Sequence, residues 1–119
     1  MSNCIFCKVI NNELPKTIVY EDDIVLAIVP IEITSQGHTL LIPKKHSENI
    51  LDVDEKILTH FTHILKKLSI KLIKDNKATG INILNANGKD AQQSVMHLHF
   101  HLVPRYPNDG LDMWIKQGL

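Results

Sequence analysis

Three of the chain's seven histidines stand at alternate positions in "HLHFHLVPR", residues 97–105. A neutral imidazole can bind a metal, move a proton or attack phosphorus. Alternation with Leu98, Phe100 and Leu102 is the pattern of a half-buried β-strand. His97, His99 and His101 are then expected on one face, about 6.5–7 Å apart, with the three apolar residues in a core. The preceding loop, "NANGKDAQQSV", crowds Asn85, Asn87, Gln92, Gln93 and Ser94 together. Such uncharged groups can hold phosphate oxygens without a competing negative charge; an ordinary polar turn has the same composition. Near the start, Cys4-x-x-Cys7 can grip one zinc ion, which then wants two more ligands. A redox pair or two buried reduced thiols share that spacing. His60 and His63 read as the polar surface of a helix.

The elements that must position these groups are legible in the apolar pattern. "NCIFCKVINNELP" predicts a short helix or turn, capped by Asn3 and stopped before Pro15. "TIVYE" and "IVLAIV", separated by Asp22-Asp23, predict a hairpin. "PIEITSQG" reads as a loop and "HTLLIP" as a third strand. From about Asp54 to Lys77, Ile57, Phe61, Ile64, Leu65, Leu68 and Leu72 recur at helical spacing, with Asp52 or Asp54 as cap. "GINILNAN" is a fourth strand and the histidine stretch a fifth. Five strands around one long helix predict an α+β domain with a largely antiparallel sheet.

The chain has 119 residues, 13 basic and 13 acidic side chains, and a formal net charge of zero. That length fits one domain, residues 1–119, with a real core. The charge balance gives no basic footprint for nucleic acid. No apolar run approaches the ~20 residues needed to span a membrane. No signal peptide is recognisable at the start, so a cytoplasmic location is expected. In that compartment two cysteines read as a metal or redox pair rather than a disulfide.

"QSVMHLHFHLV" fits the pattern His-φ-His-φ-His-φ-φ, φ being apolar, and so resembles the signature of the histidine triad (HIT) superfamily. "CIFCKVI", "YEDDIVLAI" and "GHTLLIPKKH" resemble the bacterial members of its Hint-like branch, in that order, from Cys4 to about Arg105. The resemblance implies a HIT-like fold, a homodimer whose sheets join across a two-fold axis, and a nucleotide-binding hydrolase or transferase. It implies that His99 attacks the α-phosphorus of a nucleotide and forms a nucleotidyl-histidine, with His101 on phosphate and His38 in support. Ser94 and Gln93 fall where the family places groups near phosphate and leaving group, and Asn85 or Asn87, flanking the position where it places a polar side chain, could substitute there if the strand shifts register. Ile5, Phe6, Val9, Ile28 and Ile31 would wall a slot for base and sugar. Cys4, Cys7, His46 and His97 would hold a structural zinc, which divides labour along the triad: His97 for metal, His99 for attack, His101 for phosphate. No organic cofactor is implied.

Three positions depart from the family pattern. Pro30 stands where an acidic residue usually meets the ribose, and Ala86 where a polar residue precedes the triad by eleven positions. Gln92 stands where Gly is preferred. The implied substrate is a purine nucleoside phosphoramidate or related adenylate. The alternatives are dinucleoside polyphosphate hydrolysis, as in the Fhit-like branch, or a nucleotide- or zinc-binding regulatory protein with little turnover.

Overall fold

The structure, a computed structural model, describes residues 3–116. The elements are α1 (Ile5–Ile10), β1 (Ile18–Glu21), β2 (Val25–Ile28), β3 (Thr39–Pro43), α2 (Glu55–Asn76), β4 (Gly80–Leu84) and β5 (Phe100–Arg105), with a short 3-10 turn at Lys89–Ala91. The five strands form one sheet in the order β1-β2-β3-β5-β4, and every pairing is antiparallel. The α+β class and the antiparallel sheet agree with the sequence reading. Of the C-terminal tail, residues 117–119 lie outside the described residues.

The central strands read as unbroken apolar runs because both faces of the sheet are covered. On one face Val25, Ala27, Leu41 and Leu102 pack under Phe61, Ile64, Leu68 and Leu72 of α2. On the other, Leu26, Ile28, Leu40 and Ile42 pack against Phe6 and Val9 of α1. The period-2 alternation of the strands thus divides one sheet between two cores. Asp54 caps α2, its carboxylate accepting from Lys56 N–H at 2.7 Å. Asp52, the other candidate, instead accepts from the backbone N–H groups of Glu48 and Asn49.

Two local expectations change. The cap of α1 is Cys4, whose sulfur accepts from Cys7 N–H at 3.4 Å, and not Asn3. The fifth strand begins at Phe100, so His97 and His99 precede it in irregular backbone. The cause is a competing partner: Leu98 N–H donates to Ser47 O at 2.8 Å, which diverts this segment from the ladder toward the loop after β3. Leu98, Phe100 and Leu102 still point inward as expected, Phe100 less completely.

Candidate active site and metal centre

His101 sits in β5, paired with Leu40 of β3 and Leu84 of β4. Leu40 belongs to the α1-side core, so His101 faces α1. His38 enters the same face just before β3, and its Nε2 lies 3.0 Å from His101 Nδ1. Hydrogen-bond polarity fixes the protons along this line. Thr34 N–H donates to His38 Nδ1 at 3.0 Å. That nitrogen therefore accepts, so His38 carries its proton on Nε2 and donates it to His101 Nδ1. His101 is left with its own proton on Nε2. Burial lowers the pKa of His38, and burial aided by the charges of His99 and His38 pushes His101 down to about 4. Both rings are neutral at neutral pH.

His99 has the opposite tautomeric outcome. Its Nδ1 lies 2.8 Å from the His97 carbonyl, which only accepts. The proton is on Nδ1, and Nε2 presents a lone pair. The His99 and His101 ring centres are 5.3 Å apart, and Phe6 meets His99 edge-on at 5.2 Å. A ring with a free nitrogen lone pair and a ring with a donor N–H are thus neighbours.

His97 looks away from this pair. Its Nε2–H donates to Pro43 O at 2.8 Å, leaving Nδ1 free to bind. Nδ1 is 3.3 Å from Cys4 Sγ, 3.6 Å from Cys7 Sγ and 3.1 Å from His46 Nδ1. Cys7 Sγ is 3.5 Å from His46 Nδ1, and all four ligand atoms lie within 4.8 Å of one another. A zinc tetrahedron with two sulfur and two nitrogen ligands has edges of roughly 3.3–3.8 Å, given its bond lengths. The donor set and spacing fit. Burial and the neighbouring Cys4 push the Cys7 thiol up to about 11, so Cys7 needs a cation beside it to be held as a thiolate. This cluster can hold a metal ion with all four positions filled by protein.

The remaining expected residues divide. Ile5, Phe6, Val9, Ile28 and Ile31 all line one cavity of about 450 Å³, together with Leu40. Phe6 and Leu40 tie it to His99 and His101. Ser94 is exposed beside Cys4, Ile5 and Met96 on a neighbouring depression. Asn85 reaches the triad directly: its Nδ2 donates to His99 O at 3.0 Å, with β4 and β5 in unbroken register up to Leu84–His101. Asn85 thus reaches the triad segment without a register shift in β4. Asn87 donates to Asn85 Oδ1 and accepts from Ile50 N–H at 2.8 Å. Gln93 is placed differently. It is buried, Oε1 accepts from Gly88 N–H at 2.8 Å, and Nε2 donates to the carbonyls of Glu48 at 2.6 Å and Val95 at 2.9 Å. Its amide braces the loop instead of facing the cavity. Gln92 adopts a left-handed conformation, φ 70°, the physical reason for glycine there.

Sequence reasoning missed three positioning groups: Thr34 N–H, the Pro43 carbonyl and the His97 carbonyl. Main-chain groups carry no residue-type signal, and only the tertiary approach reveals them.

Fold and site together define a histidine-triad domain. The HIT domain model matches residues 11–108, and the chain belongs to this family. It is 50% identical over 112 residues to an uncharacterised HIT-like protein of Borreliella burgdorferi, covering 92% of this chain and 81% of the relative. It is 40% identical to the adenosine 5'-monophosphoramidase HNT1 of Saccharomyces cerevisiae over 102 residues, 86% of this chain and 62% of that protein. Among solved structures, a zinc-bound histidine triad family protein from Mycobacterium smegmatis superposes with a TM-score of 0.88 at 32% identity, covering 93% of this chain and 81% of that one.

Proposed function

We propose that this chain is a nucleotidyl hydrolase that cleaves purine nucleoside phosphoramidates at the α-phosphorus through His99. The observation that carries the reading is the pair of opposite tautomers, a bare Nε2 on His99 beside an Nε2–H on His101, next to an apolar cavity. His99 Nε2 forms a bond to phosphorus as the phosphorus–nitrogen bond to the leaving amine breaks. The amine departs with that electron pair and takes up a proton. His101 Nε2–H donates to a phosphoryl oxygen, where charge develops. Water then attacks phosphorus, the phosphorus–Nε2 bond breaks with its electron pair returning to His99, the nucleotide leaves as a monophosphate, and the proton released by the water replaces the one consumed. The His97 carbonyl keeps His99 in the nucleophilic tautomer throughout. Cys4, Cys7, His46 and His97 would hold zinc, which supplies a structural clamp and no reacting group. Arg105 in the "HLVPR" ending is engaged by Asp109, Asn82 and the Leu111 carbonyl, so it supplies no further phosphate ligand.

The relative named adenosine 5'-monophosphoramidase supports the substrate class. The working unit is proposed to be a two-fold homodimer, since β4 ends the sheet with an open edge; light scattering at micromolar concentration reads this directly. The test of the chemistry is mass spectrometry of the protein after mixing with adenosine 5'-phosphoramidate and an alkaline quench. A nucleotidyl adduct on the peptide carrying His99 is expected. Turnover with no adduct on that residue overturns covalent catalysis. Diadenosine polyphosphate turned over in preference would move the substrate assignment.

A further inference from the structure

The cavity beside His99 is walled by eleven residues, ten of them apolar, and the exception is Lys16. Among the described residues, none of these wall side chains can accept a hydrogen bond. The Lys16 ammonium only donates, and one of its protons already goes to Val9 O at 3.0 Å. At the rim, Val29 N–H is spent on Thr17 O at 3.0 Å. Pro30 follows it with neither a backbone N–H nor a polar side chain. Glu32, the nearest carboxylate along the chain, is exposed and outside the wall. Ile31 continues the apolar rim at 98% exposure.

A nucleoside in such a cavity meets no side-chain acceptor for its sugar hydroxyls. A site built to hydrogen-bond a substrate hydroxyl rejects the analogue lacking it by orders of magnitude, because its own polar group is then stranded. Here the polar wall side chain is Lys16, which is part-exposed to water and already bonded to Val9 O, so no buried acceptor is stranded when a sugar hydroxyl is missing. Conversely, an apolar wall rejects an added hydroxyl only weakly. We propose that the cavity takes ribonucleotides and 2'-deoxyribonucleotides alike, and that Pro30 is the residue that leaves the sugar unread. This rests on the nucleotidyl hydrolase reading and narrows its substrate class: both nucleoside 5'-phosphoramidate series are substrates.

The experiment compares AMP with dAMP by calorimetry on the full chain, and the two matching 5'-phosphoramidates by kcat/KM. Both ratios are expected to fall within threefold of one. A larger ratio in either measurement overturns the inference while leaving the hydrolase reading intact. Failure of both monophosphates to bind overturns both. Pro30→Asp places a charged acceptor at the rim and should shift both ratios toward the ribose form by about tenfold. Pro30→Ala, which removes the ring without adding an acceptor, should leave them flat. A folded Pro30→Asp protein with unchanged ratios removes Pro30 from the role.

Discussion

Two main-chain carbonyls set different tautomers on two of three like side chains. The Pro43 carbonyl takes the Nε2 proton of His97 and turns Nδ1 to the metal cluster, and the His97 carbonyl takes the Nδ1 proton of His99 and leaves Nε2 bare. His99→Ala should therefore abolish turnover while the protein stays folded and still binds nucleoside monophosphate. Residual activity above about one percent of the parent, measured with enzyme in excess, would contradict a covalent role. His101 makes a prediction about pH. It titrates near 6.5 when unfolded but at about 4 in the fold, where burial and the charges of His99 and His38 oppose protonation. Protons bind the unfolded state first, so its contribution to stability is complete above about 6.5 and is lost as pH falls toward about 4. Urea midpoints from pH 7.5 to 4.5 should fall more steeply in the parent than in His101→Gln. Parallel slopes would mean that His101 is not held neutral.

The elements act through their entries more than their interiors. The turn before β3 brings His38 to His101, and Gly37 sets its path at φ 89°. A Cβ at Gly37 would lie 2.6 Å from Asn76 Nδ2 and 2.9 Å from Asn76 Cγ. Asn76 is itself tied to Leu72 O, in the last turn of α2. Gly37→Ala combines a left-handed backbone with that contact. It should cost about 1–3 kcal/mol by chemical denaturation and lower kcat by displacing His38. Gly37→Ala with unchanged stability and rate would show that the turn relaxes freely. At the other end of the fold, Asp22 is held well below the ordinary carboxylate range. Burial works against this, but His60, Val25 N–H, Ile24 N–H and Tyr20 all donate to it. His60 thus fastens α2 to the β1–β2 turn, a structural duty rather than a catalytic one.

At the scale of the whole molecule, the four candidate metal ligands join the start of the chain, the loop after β3 and the entry to β5. Metal binding at such a junction is folding free energy. Cys4→Ser should lose zinc, read by atomic absorption, and lower the melting temperature. It should also slow turnover, because Phe6 lies between the two cysteines and packs on the rings of both His97 and His99. His99→Ala should keep one zinc per chain. Loss of metal from His99→Ala, or its full retention in Cys4→Ser, would reverse the division of labour between His97 and His99.

The sequence alone determined the element types, the apolar face of α2 and the family to which the chain belongs. Those properties follow from local pattern: short unbroken apolar runs in "VLAI" and "TLLIP", period 3.6 from Ile57 to Leu72, and alternate histidines from His97. Even the convergence of Cys4, Cys7, His46 and His97 was legible through the family pattern. The tertiary structure decided what each group does once it arrives. It turned Gln93 into a loop brace, brought Asn85 to the His99 carbonyl and stopped β5 short of His99. It also assigned each imidazole its proton. The reason is that tautomer, burial and hydrogen-bond commitment depend on main-chain carbonyls and N–H groups, which every residue carries and no sequence pattern distinguishes.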